Sequence, residues 1–338
     1  MRAFVLEKTG DPARAFILKE VPDPIPAPGD YLIRVEAFGL NYAEVMARKG
    51  AYRDAPQRPC VIGYDVVGRV ESAPENGRYK PGARVVALTR FGGYSEKVCA
   101  RSEAVFDVPE ELSPAVATAL ATQGATAWYC ALGTGNLYAG DLALVSAAAG
   151  GVGSLLVQIL KAYGVHVVGL AGSSKRDVVL GLGADHFLNR HEASLTELWK
   201  KYLSGKRPDV VFDSAGGRQA REALRLLNSC GRLVLYGAAA SGGTTNPFKL
   251  ARFALGFGLY SPIPLIMRSQ TVAGVNMLRL ADRKPVALRQ ALEGALTLFR
   301  EGKMIPLKGH EFSHHQLAEA HRLLESGQST GKVAVVWN

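Results

Sequence analysis

Hydrophobic residues follow two rhythms along this chain. From Met1 to about Val108, short β-like runs such as Ala3-Phe4-Val5-Leu6 are separated by turn residues, among them Pro22, Pro24, Pro26, Pro28-Gly29, Pro59, Pro81-Gly82 and Gly92-Gly93. That spacing predicts a β-rich region. From about Pro109 to Ser261 the rhythm changes, and apolar runs at 142–146, 165–171, 210–214 and 232–237 alternate with helical stretches. Alternation of this kind predicts a parallel sheet covered by helices, an α/β doubly wound domain. Beyond it the pattern predicts a strand at 271–275, helices from about 286 to 301 and from about 314 to 325, and a closing strand at 332–337.

The first parallel strand leads into Ala147-Ala148-Ala149-Gly150-Gly151-Val152-Gly153, and Leu155, Leu156, Ile159 and Leu160 follow at helical spacing. A strand, a tight glycine turn and a helix N-terminus present backbone N–H groups and a positive dipole end to a pyrophosphate. The strand at 165–171 completes the βαβ unit, so a dinucleotide is expected at Gly150, Gly151, Val152 and Gly153. At the tip of that strand an NAD site carries a carboxylate for the adenosine ribose. Here the chain reads Gly172-Ser173-Ser174-Lys175-Arg176. Two hydroxyls and two cations suit a 2′-phosphate and favour NADPH, the alternative being an ordinary helix start capped by Ser173 or Ser174.

Composition sets outer bounds. The chain has 338 residues, of which 48% are hydrophobic, enough to fill two cores. The opening residues read as a strand rather than a signal peptide, and no stretch has the continuous apolarity of a membrane span. Cys60, Cys99, Cys130 and Cys230 are widely separated and form no C-x-x-C pair. A reducing, cytoplasmic setting is expected. The net charge of +10 is scattered in small groups such as Lys200-Lys201 and Lys206-Arg207, without stacking aromatics between them, so no nucleic-acid partner is expected.

Several motifs recur in one order: Gly39-Leu40-Asn41-Tyr42-Ala43-Glu44-Val45-Met46, Pro59-Cys60-Val61-Ile62-Gly63-Tyr64-Asp65-Val66-Val67-Gly68, Pro81-Gly82-Ala83-Arg84-Val85, Ala125-Thr126-Ala127-Trp128, the glycine turn, Val211-Phe212-Asp213-Ser214-Ala215-Gly216-Gly217 and Gly331-Lys332-Val333. With them the chain resembles the medium-chain dehydrogenase/reductase superfamily and, within it, the zinc-free quinone oxidoreductase family. The resemblance implies a discontinuous GroES-like catalytic domain, residues 1–122 and 266–338, and a Rossmann NADPH-binding domain, residues 123–265. Where zinc alcohol dehydrogenases carry their catalytic ligands, this chain has Asn41, Tyr64 and Gln123. An amide and a phenol are poor zinc ligands beside thiolate and imidazole. The segment 86–98, where that branch holds a structural zinc lobe, contains no cysteine. No metal is expected.

By the same resemblance Asn41, Tyr52 and Tyr64 are the expected catalytic residues, with Asn41, Gln123 and Thr126 near the nicotinamide and its ribose. Ser173, Ser174 and Lys175 are expected at the 2′-phosphate. Relatives often have a tyrosine where this chain has Arg190, which could contact the phosphate or stack. Tyr236, Gly237 and Asn276 are expected to approach the nicotinamide side. Hydride transfer from nicotinamide C4 to a quinone suits a zinc-free site, because the product anion is delocalised and hydrogen-bond donors can stabilise it. Alternatives are reduction of enone or alkenal C=C bonds, and a cofactor-binding protein acting through a membrane or RNA partner.

His310 and His314 are four apart, and His314, His315 and His321 lie on a stretch beginning at an N-cap-like Ser313, where the histidines are expected to be mostly surface residues of an amphipathic helix. The uncharged stretch 253–267, rich in Phe, Leu, Ile and Pro, resembles the vesicle amine transport protein-like branch of the family. Its readings are a buried core helix, or else an acceptor-pocket wall, a dimer surface or a peripheral membrane contact. A homodimer joined through sheet edges is expected, with a quinone or another activated carbonyl compound as the small-molecule partner.

Overall fold

Along Asp30–Leu40 the residues Tyr31, Ile33, Val35 and Ala37 are buried and alternate with more exposed Asp30, Leu32, Arg34 and Glu36. This period of two is what a half-buried strand requires. The chain is described here by a computed structural model covering residues 1–258 and 261–337. It divides into two units: residues 1–125, 278–293 and 306–338 form the first, residues 126–277 and 294–305 the second.

The first unit contains β1 (Arg2–Leu6), β2 (Phe16–Glu20), β3 (Asp30–Leu40), β4 (Cys60–Val61), β5 (Asp65–Ser72), β6 (Arg84–Leu88), β7 (Lys97–Arg101) and β8 (Val105–Asp107). The second contains β9 (Leu142–Ser146), β10 (His166–Ala171), β11 (His186–Asn189), β12 (Val210–Asp213), β13 (Arg232–Leu235) and β14 (Thr271–Gly274). The chain then returns to the first unit with β15 (His310–Ser313) and β16 (Val333–Val336). Among the described residues β1, β2 and β4 form a small antiparallel sheet, and a larger one runs β15-β16-β3-β5-β6-β8, with β7 also on β3. In the larger sheet β3 lies between β16 and β5, pairing antiparallel with both. Two strands far apart in sequence therefore face each other across one backbone.

In the second unit the parallel order is β11-β10-β9-β12-β13-β14. The order reverses direction between β9 and β12, and in such sheets ligands bind beyond the strand C-termini at the reversal. Strand β9 is a continuous apolar run because helices cover both faces of a parallel sheet. Leu155, Leu156, Val157, Ile159 and Leu160 of the helix Gly151–Ala162 are all buried. Burying each such side chain is worth about 1.5–3 kcal/mol.

Three expectations need correction. The domain break expected at 265/266 lies at 277/278, because β14 hydrogen-bonds in parallel register to β13 and belongs to that sheet; residues 294–305 also join the second unit. His314 and His321 are buried rather than at the surface. His321 shares the inward side of the helix Leu317–Ser326 with Leu317 and Ala320, and its Nε2 lies 3.2 Å from the Tyr94 hydroxyl. Burial pushes its pKa down to about 3.

The third concerns the apolar stretch, which is not a core helix. Two short helices, Pro247–Gly256 and Pro262–Arg268, each begin with proline and are capped by Asn246 and Ser261; Leu259 and Tyr260 between them lie outside the described residues. Phe253 and Phe257 pack edge to face at 5.3 Å against the turn at Gly216 and Gly217. Phe248, Leu255, Ile266 and Met267 remain 76–84% exposed.

Candidate functional site

The turn after β9 is built by residues in unequal roles. Ala147 takes a positive φ of 51°, a conformation that costs an L-residue energy and persists where the surrounding structure over-determines the backbone. Gly150 is extended and starts the helix at Gly151 with no side-chain cap. A Cβ on Gly153 would overlap the Ala147 carbonyl oxygen, so this glycine is required by the close approach of helix to strand. An uncapped helix N-terminus at a strand C-terminus fits a pyrophosphate.

Around this turn the strand ends converge. The Ser146 and Ser214 hydroxyls are 3.1 Å apart, Ser214 N donates to Ser146 Oγ at 2.8 Å, and the Tyr236 hydroxyl donates to the Ser146 carbonyl at 3.3 Å. Tyr236 is thus tied to the turn, and Gly237 approaches Gly216 at the end of β12. The Asp213 carboxylate is taken up by Ala215 N, Gly216 N and the Gln219 amide, which shapes the loop. Ser146 and Ser214 had no distinguishing signal beyond their places at strand ends.

Beyond β10, residues Ser173–Lys175 form a single 3₁₀ turn with Gly172 at its N-cap. Neither serine side chain caps it, so the capping alternative is not realised. Ser173 and Ser174 are exposed, while Lys175 is partly buried, and burial and the nearby Arg190 guanidinium both hold its pKa down. Two cations brought together suit an anion with several oxygens. Beside Arg190 opens a cavity of about 360 Å³ lined by Leu170, Leu195, Leu198, Arg218 and Gln219 among others. Thr126 is buried in Ala125–Trp128, and Asn276 is exposed just after β14.

In the first unit Asn41 caps the helix Tyr42–Arg48, and its backbone N–H donates to Glu44 Oε2 at 2.9 Å. Its side chain is fully engaged. Nδ2 donates to Asp65 Oδ2 at 2.9 Å and to Glu44 Oε1 at 3.3 Å, and Oδ1 accepts from Lys332 Nζ at 2.9 Å. Lys332 also meets Asp65 Oδ2 at 2.7 Å. Burial first, then the Asp65 charge, pushes Glu44 up to about 8, while Lys332 pulls it down. Glu44, Asp65 and Lys332 were not foreseen as site residues, although a charge beside the apolar runs of β5 and β16 was a visible signal.

Tyr64 begins the chain into β5, and its backbone N–H donates to Glu44 Oε1 at 3.3 Å. Its hydroxyl is buried without a hydrogen-bond partner of ordinary geometry, although the Tyr52 phenol is near enough to affect its ionisation. Burial raises the pKa of both phenols. The Tyr64 ring lies 6.1 Å from that of Tyr52 and 5.2 Å from that of Phe91, whose φ of 110° is a second strained position. Gln123, 6% exposed on the π-helical turn Leu120–Gly124, has an unpartnered Oε1. Buried polar atoms without partners point to a ligand that completes them.

Zinc does not fit this donor set. Positions 41, 64 and 123 supply an amide already hydrogen-bonded on both ends, a phenol and a second amide. Among the described residues no three His, Cys, Asp or Glu side chains are grouped to hold a metal.

Residues 27–138 match the family described as Alcohol dehydrogenase GroES-like domain, and residues 151–293 the family described as Zinc-binding dehydrogenase. The chain is 31% identical over 317 residues to the human synaptic vesicle membrane protein VAT-1 homolog, covering 93% of this chain and 80% of that protein. It is 28% identical over 340 residues to human quinone oxidoreductase, covering 99% and 98%. The quinone oxidoreductase of Thermus thermophilus, whose structures include a complex with NADPH, superposes with a TM-score of 0.80 at 30% identity, covering 99% and 100%.

Proposed function

This chain belongs to the quinone oxidoreductase and VAT-1-like family of the medium-chain dehydrogenase/reductase superfamily, and on that premise we propose that it is an NADPH-dependent, zinc-independent quinone reductase. One observation carries the reading of the acceptor: the Tyr64 hydroxyl, buried beside the Tyr52 phenol without a hydrogen bond of ordinary geometry, stands at the motif position where metal-dependent relatives hold a ligand. An acceptor reduced here gains hydrogen-bond donors rather than a Lewis acid. A quinone suits that arrangement, since the hydride it receives leaves a delocalised phenolate.

Bound NADPH supplies the hydride at nicotinamide C4. For the cofactor, Gly150, Gly151, Val152 and Gly153 would hold the pyrophosphate at the helix N-terminus. Ser173, Ser174 and Lys175 would take the 2′-phosphate, with Arg190 as the second cation. Tyr236, Gly237, Asn276, Gln123 and Thr126 would serve the nicotinamide half. Tyr64 and Tyr52 would face the acceptor, with Asn41 bracing the site through its bonds to Asp65, Glu44 and Lys332.

A second copy of the chain is the proposed macromolecular partner. Strand β14 ends its sheet with one neighbour among the described residues, and exposed Ile266 and Met267 stand just before it. Open edges invite strand pairing, and contiguous apolar side chains favour covering them. Among the described residues no helix is long and apolar enough to cross a membrane.

An acceptor panel with product analysis tests the reaction. Saturable NADPH oxidation with ortho- and para-quinones, at least tenfold more efficient than with enones or alkenals, is expected. Efficient C=C reduction with no quinone turnover would replace this reading by the enone alternative.

A further inference from the structure

Three ionisable side chains in the first unit, Glu44, Asp65 and Lys332, are each 0% exposed. Their burial is expensive, because desolvation opposes every charge that is removed from water. Lys332 precedes β16 and Asp65 opens β5, on opposite sides of β3, and they meet across Gly39. A Cβ on Gly39 would overlap both Asp65 Oδ1 and the Lys332 side chain, so the ion pair and the glycine are one device.

Asn41 joins this pair to Glu44, and the bonds consume both amide hydrogens and the amide oxygen. Its carboxamide therefore has no donor left for an acceptor. Glu44 in turn receives the Tyr64 backbone N–H, fixing the point from which the Tyr64 side chain departs. Tyr64 is only 7% exposed, packed near Tyr52 and Phe91, and its hydroxyl lies beside the Tyr52 phenol without a hydrogen bond of ordinary geometry.

We propose that Lys332, Asp65 and Glu44 are positioning residues which, through Asn41 and the Tyr64 backbone, aim the Tyr64 hydroxyl as the donor to the oxyanion formed on the acceptor. Asn41 braces the site instead of donating to the acceptor. The inference rests on the hydride-transfer reading above and assigns its roles. Two carboxylates face one ammonium here, and a proton on Glu44 balances the charge. The groups facing Glu44 are Asp65 and Tyr64, Tyr94, Tyr52 and Lys332.

The test is a double-mutant cycle on the full chain with NADPH and 9,10-phenanthrenequinone. Tyr64→Phe is expected to lower kcat about 100-fold, as loss of one oxyanion donor does. Lys332→Met is expected to lower it at least tenfold with the Kd for NADPH, read by fluorescence, unchanged. If Lys332 acts through Tyr64, the double variant matches Tyr64→Phe to within about threefold. Losses that multiply overturn the proposal, and if Lys332→Met does not fold, Asp65→Asn supplies the same cycle. In a second readout the wild-type kcat falls above about pH 8, as Glu44 loses its proton, and Glu44→Gln removes that fall. An unchanged profile in Glu44→Gln also overturns it. A wild type that reduces no quinone defeats the functional reading and this inference together, whereas multiplicative losses in an active enzyme defeat the inference alone.

Discussion

Glu44 carries a stability cost that depends on pH. Its folded pKa of about 8 lies above the ordinary carboxylate value, so the native state holds a proton that the unfolded chain has released. Stability from this group is complete below the unfolded pKa and is lost as pH rises through about 8, by an amount on the order of a few kcal/mol. His321 acts oppositely: it is neutral in the fold, and stability is lost as pH falls from its unfolded value toward about 3. Denaturant midpoints measured from pH 5 to pH 9 should fall between about pH 6.5 and pH 8 in the wild type, where His321 no longer offsets Glu44, and level off above; Glu44→Gln should lack that fall. A wild-type midpoint constant across that range would contradict the assignment. At the cofactor, Lys175→Ala is expected to weaken NADPH binding about tenfold and NADH binding little, measured by fluorescence titration; equal losses would remove Lys175 from the 2′-phosphate. Motif position singles out Tyr64 and Gln123 in the chain as candidates, and both prove to be buried with a polar atom that lacks a bond of ordinary geometry. The ion pair was not legible, since Lys332 and Asp65 are brought together only by the strand order around β3.

The element best read from sequence is the strand, turn and helix at 142–162. Hydrophobic period identified both regular pieces, and glycine identified the turn between them. What sequence alone could not assign was the division of labour: the left-handed residue is Ala147, and Gly153 is needed for the chain's own backbone. Gly153→Ala should therefore cost about 1–3 kcal/mol in unfolding free energy even without cofactor. An unchanged denaturant midpoint would show that the turn relaxes freely. For the 253–267 stretch the sequence leaves a core helix and a surface role both open, because an apolar run carries no signal of what covers it. Prolines at 247 and 262 do explain where its two helices start. The strand β14 was recognised, but its membership of a sheet depends on a partner, β13, and no local pattern encodes that.

At the scale of the molecule, the two-rhythm pattern pointed to a β-rich first unit and a doubly wound second unit, while the return of the C-terminal strands to the first unit was legible only through the family resemblance. The proposed pairing with a second copy uses the edge of β14, which has one neighbour among the described residues. Ile266→Glu with Met267→Glu is expected to shift a dimer to monomer in sedimentation while leaving NADPH affinity unchanged; a monomeric wild type would exclude that partner. The family relationship and the donor set together define an oxidoreductase whose chemistry is proposed to run without a metal. The most direct measurement is NADPH oxidation by an ortho-quinone after exhaustive chelation, with the metal content of the same sample determined. The expected result is full, saturable turnover at negligible metal content. Activity that disappears with the metal and returns when zinc is added would contradict it.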